Sequence, residues 1–373
     1  MGTAIQSECG ADVGSDDSTL RNGVAVSNVG KERLTSIQAL RAIAAIVVVA
    51  FHALQSDVPL LRFGDRGVDL FFVISGFIMV HVTRSASIGV GRFVADRVIR
   101  IVPMYWLATL VAFGLALAGK VMWGATSDPG ILLQSLLFIP HYNADGHIWP
   151  LVFLGWTLNF EAFFYALFAV ALTAPSHLRT LLLGGMLVSF VAVGAFWQPD
   201  GPVLRTYTSP LLLEFLAGAI IAEIYHRFPQ QHRAAWAWLV LLTCTMTLLV
   251  PLFPRISVGW LAVILVGGGV LLDRTRTIVS ARWIATLGDA SYSIYLFQQF
   301  FFTLTAWLSV RVLRVTGWDI PAWLPHLFDA LVAVLFGVFV HFFLERPVTR
   351  RLRALFRKHP HQPAPMKQGP QAA

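Results

Sequence analysis

Long apolar runs, separated by short charged or Pro/Gly-rich stretches, dominate the chain. A helix needs about 20 mostly apolar residues to cross a hydrocarbon layer roughly 30 Å thick. The runs predict an all-α, polytopic integral membrane bundle of ten transmembrane helices. Their predicted bounds are near 37–56, 67–83, 101–121, 151–173, 178–197, 209–226, 234–253, 256–272, 290–310 and 324–344.

Composition agrees with this pattern, since 56% of the residues are hydrophobic, 13% are charged and the mean hydropathy is +0.67. These values lie outside the range of soluble globular domains. The two cysteines, Cys9 and Cys244, have neither the spacing of a metal site nor that of a disulfide framework. We therefore expect no metal cofactor.

The formal net charge of +8 comes from basic residues in loops and tails rather than from one dense patch, so no nucleic-acid partner is predicted. An even number of spans places both termini on one side. Most Lys and Arg residues lie in the segments on the same side as the termini. Because cationic loops stay in the cytoplasm, both termini are predicted to be cytoplasmic. The predicted organisation is a disordered cytoplasmic tail over 1–33, a membrane domain over 34–347, and a basic then Pro/Gln-rich cytoplasmic tail over 348–373.

The longest predicted outer loop, 122–150, carries no Lys or Arg but holds several aromatic and histidine side chains. A loop of this length on the outer side could hold a substrate. An interfacial aromatic belt explains the same composition equally well.

Arg41 and His52 are ionisable residues within the first predicted span. Their separation puts them within about 20° of each other around the helix axis and about 16 Å apart along it. Such a stripe suits a long anionic donor that enters from the cytoplasm and presents its reactive end to a histidine general base. The alternative makes Arg41 a snorkelling anchor and His52 an interhelical hydrogen-bond donor.

Asp69 lies at the outer end of the second span, near the predicted level of His52. A carboxylate there could orient the imidazole, and it could also cap the second helix. The Ser75-Gly76 pair in the same span is more typical of close helix packing than of a nucleophile.

Glu161 and Glu214 lie within the fourth and sixth spans, where an unpaired carboxylate is costly. Each is therefore a candidate functional residue. Arg97 and Arg100 precede the third span at the predicted inner interface and could bind phosphates. Arginines at this position are also common topology anchors.

Six motifs occur in order along the chain: IQALRAIAAIVVVAFHA, GVDLFFVISGF, RVIRIVPMYW, WTLNFEAFFY, SYSIYLFQ and FFLERP. Together, from Ile37 to Pro347, they resemble the membrane acyltransferase 3 family, and within it the exopolysaccharide and Nod-factor O-acetyltransferase subgroup. The resemblance implies an enzyme of the bacterial inner membrane that takes acetyl from cytoplasmic acetyl-CoA, without a metal, and acylates a glycan. Besides acyl-CoA, the glycan acceptor and membrane lipid, the partners that it implies include polysaccharide-assembly proteins.

The resemblance also assigns roles to individual residues. Arg41 and His52 match the family's R-x(10)-H pair, and Arg97 and Arg100 match its donor-associated R-x-x-R motif. These matches make His52 the expected general base and the three arginines the expected acyl-CoA-binding residues.

Asp69 and Glu161 match recurrent acidic positions of the family and are expected to join His52 in catalysis. Gln298 stands where many relatives have histidine, which changes any proton transfer at that position. Glutamine can still exchange hydrogen bonds with a sugar, so Gln298 is expected to bind substrate. Glu214, the other buried carboxyl group, is also expected to bind substrate.

Two alternatives stay open at this point. Transfer could proceed by direct attack of the sugar hydroxyl or through a transient acyl-histidine. A transporter or flippase for glycans or lipid-linked sugars would also explain ten spans with buried charges. Transporters of that kind are usually built from repeated halves, and the sequence shows no convincing internal repeat.

Overall fold

The computed structural model describes residues 34–54, 58, 64–84, 88–119, 126–228, 232–249, 259–274, 281–316, 321 and 323–357. These residues form helices and connecting turns, and none of them forms a β-strand. The prediction of an all-α fold is confirmed. The predicted tail over 1–33 and most of the one over 348–373 lie outside the described residues.

Thirteen α-helices occur in this part of the chain. In order they are α1 (Thr35–Leu54), α2 (Gly67–Arg84), α3 (Val90–Leu117), α4 (Pro129–Leu136), α5 (Trp156–Ala171), α6 (Arg179–Trp197), α7 (Pro202–Tyr207), α8 (Leu212–Arg227), α9 (His232–Leu249), α10 (Gly259–Asp273), α11 (Arg282–Thr316), α12 (Trp323–Val340) and α13 (Arg346–Arg357). A short 3-10 turn, Phe153–Gly155, leads into α5, and a π-helical turn, His341–Glu345, joins α12 to α13.

Seven helical segments of the described chain are long and apolar enough to cross a membrane. They are Thr35–Leu54, Gly64–Arg84, Val90–Leu117, Phe153–Ala171, Arg179–Trp197, Pro202–Arg227 and Trp323–Phe356. Two shorter apolar helical segments, Arg233–Thr245 and Gly259–Asp273, fall below that length. The structure thus supports a multi-pass arrangement without establishing the predicted count of ten.

Some helix bounds differ from those predicted by hydropathy. α3 begins at Val90 rather than near residue 101, and α11 begins at Arg282 rather than near residue 290. Both helices continue beyond their apolar run into a charged or polar first part, which a hydropathy window does not register. α13 likewise continues the chain as helix to Arg357, past the predicted domain end at 347.

α2 and α8 pack together at very short range through two glycines. A Cβ atom on Gly76 would collide with the carbonyl group of Phe215, and one on Gly218 would collide with that of Val73. Each glycine therefore admits the backbone of the opposite helix, as small residues do between membrane helices. The prediction of close helix packing at Ser75-Gly76 is confirmed for Gly76.

α1 lies among α2, α10, α11 and α12. Its N-terminus is bound by a side chain of another helix, because the Ser36 backbone N–H and hydroxyl donate to Oδ2 of Asp273 at 2.9 and 2.6 Å. A carboxylate at this end satisfies a free N–H group and complements the helix dipole. The contact fixes the axial position of the helix that carries Arg41 and His52.

The closing FFLERP motif connects the last long helices. Glu345 accepts a hydrogen bond from the Ser293 hydroxyl of α11 at 2.7 Å, and its Oε2 lies 2.7 Å from Nδ1 of His341. The π-helical turn therefore places the Glu345 carboxylate between α11 and the end of α12, and the carboxylate joins the two helices.

Candidate active site

A cavity of about 70 Å³ lies among α1, α2, α3, α5 and α11. Arginines, a glutamate and hydroxyl groups provide its polar lining, and Phe and Ile side chains provide much of the rest. The polar lining residues are Arg41, Ser75, Arg97, Arg100, Thr157, Glu161, Tyr165, Ser291, Tyr292 and Tyr295. We call this space the arginine cavity.

Three guanidinium groups face this space from two helices. Arg41 of α1 is only 8% exposed and donates to the Ser291 hydroxyl at 3.0 Å. The Arg97 guanidinium lies 5.8 Å from the ring centroids of both Phe93 and Tyr165, a distance suited to cation–π attraction. Its Nε atom is buried without a hydrogen-bond partner among the described residues. The cavity thus presents concentrated positive charge with unused donor capacity.

Glu161 supplies the negative charge of the cavity. Its Oε1 atom accepts hydrogen bonds from the hydroxyls of Tyr165 and Ser75, the latter at 3.3 Å. The Ser75 and Tyr165 hydroxyls are themselves 3.4 Å apart. One carboxyl oxygen is therefore held by two hydroxyl groups from α2 and α5, which fixes its direction.

Four of the residues predicted from the sequence thus line one cavity: Arg41, Arg97, Arg100 and Glu161. They come from three helices that are distant along the chain. Their convergence is what a site for an anionic ligand requires, because scattered topology anchors would not share one cavity.

His52 and Asp69 do not line the arginine cavity. The His52 ring packs edge-on against Phe153, with centroids 5.2 Å apart, and its Nδ1 is buried without a partner among the described residues. Asp69 lies in the first turn of α2, is 2% exposed, and leaves Oδ2 without such a partner. Orientation of the imidazole by Asp69 therefore stays a prediction.

Glu214 and Gln298 are fully buried and line neither the arginine cavity nor the second cavity described below. Both carboxyl oxygens of Glu214 lack a hydrogen-bond partner within the described chain, and Gly259 packs directly against them. Gln298 donates from Nε2 to the Tyr295 carbonyl at 3.0 Å, while its Oε1 has no such partner. The predicted substrate contacts of both residues stay predictions.

Sequence reasoning missed several hydroxyl groups of the arginine cavity. Tyr165 lies one turn after Glu161 on the same helix face, a spacing that could have suggested their contact. Tyr292 and Tyr295 belong to the SYSIYLFQ motif, in which only Gln298 was singled out. Tyr295 bonds to the Leu154 carbonyl and the Thr157 hydroxyl, both at 2.9 Å, and so ties α11 to the start of α5.

The fold and the cavity define a multi-pass helical membrane protein with an internal, arginine-rich site. The model of the acyltransferase domain of the acyltransferase 3 family matches residues 34–344. The chain belongs to this family, and it is an acyltransferase.

Individual relatives agree with this assignment. The chain is 37% identical to the exopolysaccharide production protein ExoZ of Rhizobium meliloti, over 82% of this chain and 95% of the relative. It is 29% identical to the putative membrane-bound transacylase BcsY of Komagataeibacter xylinus, over 72% of each chain. It is 24% identical to the peptidoglycan O-acetyltransferase OatA of Listeria monocytogenes, over 82% of this chain and 53% of the relative. No solved structure matches the chain.

Proposed function

We propose that this enzyme transfers an acyl group, by family habit acetyl, from cytoplasmic acyl-CoA to a hydroxyl of an exopolysaccharide or related glycan at the membrane. The observation that carries the proposal is the convergence of Arg41, Arg97 and Arg100 with Glu161 in one cavity. An acyltransferase needs a place for a polyanionic donor, and this cavity supplies the matching charge.

The donor fits the arginine cavity by chemistry. Phosphate oxygens accept paired hydrogen bonds from guanidinium groups, and Arg97 has an Nε that no described residue occupies. A volume of about 70 Å³ is too small for a nucleotide, so only part of the donor enters the cavity. The nucleotide therefore lies outside, near the end of α3 that carries the arginines.

His52 is the proposed general base. Its imidazole takes the proton of the sugar hydroxyl while the sugar oxygen attacks the thioester carbonyl carbon. The tetrahedral intermediate collapses with cleavage of the C–S bond, and the departing thiolate takes the proton back from the imidazolium. Attack by His52 itself, giving an acyl-histidine that the sugar then cleaves, is the alternative route.

The carboxyl groups of Asp69 and Glu161 have supporting roles in this proposal. Glu161, held by Tyr165 and Ser75, lines the same cavity as the donor arginines and offsets part of their positive charge. Asp69 stabilises the imidazolium that forms during transfer.

The relatives support a glycan as the acceptor. One of them is named for exopolysaccharide production and another for O-acetylation of peptidoglycan, and both materials are polymers of sugars. The proposed location is the bacterial inner membrane, with both termini in the cytoplasm and the glycan on the other side. Polysaccharide-assembly proteins are proposed partners, because they supply or remove such a glycan.

The decisive experiment measures transfer of label from acetyl-CoA into polysaccharide by purified membranes. The wild-type protein is expected to incorporate label, and His52→Ala to lose about 10²- to 10⁴-fold of the rate, as loss of a general base does. His177→Ala is the matched control, since this histidine is exposed in the loop before α6. Wild-type rates in a folded His52→Ala variant would overturn the assigned role, and a wild type that transfers nothing would overturn the proposed reaction.

A further inference from the structure

A second, larger cavity, of about 300 Å³, lies on another side of α5. Its walls come from the loop before the 3-10 turn, from α5, from α7 and from the start of α8. Six of its lining residues carry the chemistry discussed here: Tyr142, His147, Trp149, Trp156, Asn159 and Arg205. We call it the tryptophan cavity.

Flat aromatic groups form one part of this lining. The indole of Trp149 stacks on the His147 ring, with centroids 4.3 Å apart and planes 21° apart, and Trp156 adds a second indole. Broad aromatic faces with a few polar groups are typical of small-molecule sites. A hexopyranose offers matching apolar C–H faces and a ring of hydroxyls at its edge.

Polar groups of the cavity have free hydrogen-bonding capacity. Asn159 is 2% exposed, yet its Oδ1 has no hydrogen-bond partner in the described part of the chain. A buried amide oxygen of this kind is unfavourable unless a ligand or water donates to it. Arg205 adds a guanidinium that donates to sugar oxygens or to acidic substituents of a sugar.

The loop that carries His147 and Trp149 is tied in place. The backbone N–H of His147 donates to Oδ1 of Asn143 at 2.8 Å, and the Asn143 N–H donates back to the His147 carbonyl at the same distance. Tyr142 donates its hydroxyl to the Asp200 carbonyl at 2.6 Å, which joins the loop to the segment before α7. A lining held this way loses little freedom when a ligand binds.

α5 is the partition between the two cavities. Thr157, Leu158, Glu161 and Tyr165 line the arginine cavity, whereas Trp156, Asn159 and Phe160 line the tryptophan cavity. At about 100° per residue these two sets occupy opposite faces of one helix. Phe72 of the arginine cavity packs against Phe160 and Trp156 with centroids 5.8 and 6.4 Å apart, which places aromatic rings between the two cavities.

His52 lies beside the N-terminal end of this partition. Its ring contacts Phe153 at 5.2 Å between centroids, and Phe153 in turn contacts Trp149 at 5.8 Å. The imidazole is therefore one aromatic ring away from the tryptophan cavity. A ligand that extended from the tryptophan cavity past Phe153 would reach the His52 imidazole.

We propose that the tryptophan cavity is the acceptor site and that it binds a hexose unit of the glycan. The sugar ring stacks on Trp149 and Trp156, while Asn159 and Arg205 exchange hydrogen bonds with its oxygens. The reacting hydroxyl points past Phe153 toward His52. This inference rests on the proposed function, because it names where the acceptor of that reaction binds.

Direct binding tests the site without the donor. The probe is a mixture of hexose oligosaccharides prepared from de-O-acetylated surface polysaccharide of the cells that carry the gene, added to the full-length protein in lipid nanodiscs. Trp149→Ala and Arg205→Ala are each expected to weaken binding at least tenfold, and Trp149→Phe to weaken it less. Trp197→Ala is the matched control, because this tryptophan is 68% exposed at the end of α6 and lines neither cavity.

The same variants are compared in the transfer assay, with thermal unfolding to confirm that each is folded. The expected result is a raised KM for the glycan with an unchanged KM for acetyl-CoA. Oligosaccharide binding that is undetectable in the wild type, or equal in the wild type and both alanine variants, would overturn the proposal.

Failure of the site and failure of the function give different results. If the wild type transfers no acetyl yet binds sugar in a Trp149-dependent way, the proposed reaction is wrong and the site stands. If transfer proceeds and the glycan KM is the same in Trp149→Ala, Arg205→Ala and the wild type, the reaction stands and the site is wrong.

Discussion

Among single residues, Arg41 and Arg97 of the arginine cavity have different surroundings. Arg41 is bonded to Ser291, whereas Arg97 rests on aromatic rings and keeps a free Nε among the described residues. A guanidinium carries five N–H donors, and a buried donor without a protein partner is open to a ligand. Arg97 is therefore the stronger candidate for direct contact with donor phosphate.

Replacing these arginines should affect donor binding first. Arg97→Ala and Arg100→Ala are expected to raise the KM for acetyl-CoA tenfold or more, equivalent to about 1.4 kcal/mol or more. The corresponding lysine variants should recover only part of this, because lysine cannot bind an oxyanion through two parallel hydrogen bonds.

Arg92→Ala is the control, since Arg92 is an exposed residue of the same helix outside the cavity. Steady-state kinetics over a range of acetyl-CoA concentrations check this prediction. Equal effects at 92, 97 and 100 would instead indicate a general loss of surface charge.

The sequence allowed some of these residues to be identified and concealed others. Arg41, Arg97, Arg100 and Glu161 stood out because charge within or beside an apolar run is costly and therefore informative. Ser291, Tyr165 and Tyr292 gave no such signal, since hydroxyls are common in membrane helices. Their role depends on which helices pack together, and that is a non-local property.

The surroundings of His52 could not be predicted from the sequence. Helical periodicity aligned it with Arg41 on one stripe, but periodicity does not show what covers a side chain. In the structure, Phe153 lies against the imidazole, and the arginine cavity ends before it. The neighbour comes from a 3-10 turn about a hundred residues later in the chain.

Among the helices, the α2–α8 pair depends most clearly on the absence of side chains. Gly76 and Gly218 face backbone atoms, which cannot move aside as a flexible side chain can. α2 carries Asp69 and Ser75, and α8 carries Glu214. The spacing of this pair therefore sets the positions of three candidate polar residues.

Gly76→Ala is expected to lower the free energy of unfolding by about 1 to 3 kcal/mol, because overpacking forces the helices apart. Gly185→Ala has the opposite expected sign, since open space surrounds Gly185 in α6 and alanine favours a helix by roughly 0.5 to 1 kcal/mol. Unfolding in detergent micelles, followed by circular dichroism, compares the two. Equal effects would show that α2 and α8 are not held by this contact.

Helix existence was easier to predict than helix extent. Apolar runs identify the part of a helix that lies in hydrocarbon, so α1 and α6 were located well. α3 continues for eleven residues before its predicted start, because its basic first part faces the cavity and the surface while remaining helical. Hydropathy measures the environment of a segment, not where its backbone hydrogen bonds end.

For the whole molecule, the distribution of charge predicts which end of the bundle faces the cytoplasm. The loop over 122–150 lacks Lys and Arg, whereas α13 is rich in arginine. Basic segments are retained on the cytoplasmic side. The loop and α13 are therefore expected on opposite sides of the membrane.

Cysteine labelling tests this orientation. In a Cys9→Ser, Cys244→Ser background, Ala144→Cys should react with a membrane-impermeant maleimide in intact cells. Arg351→Cys should react only after the membrane is opened; both positions are exposed in the structure. Labelling of position 351 in intact cells would contradict the predicted topology.

The aromatic rings between the two cavities have a consequence for the voltage across the membrane. The voltage across a bacterial membrane is a store of free energy. Each elementary charge that crosses 100 mV dissipates about 2.3 kcal/mol. Two water-filled spaces that met inside the bundle would give protons and metal ions a conducting route. Phe72, packed against Trp156 and Phe160, places apolar rings between the two cavities, where such a route would run. The proposed acyl transfer can then take place without loss of the membrane voltage.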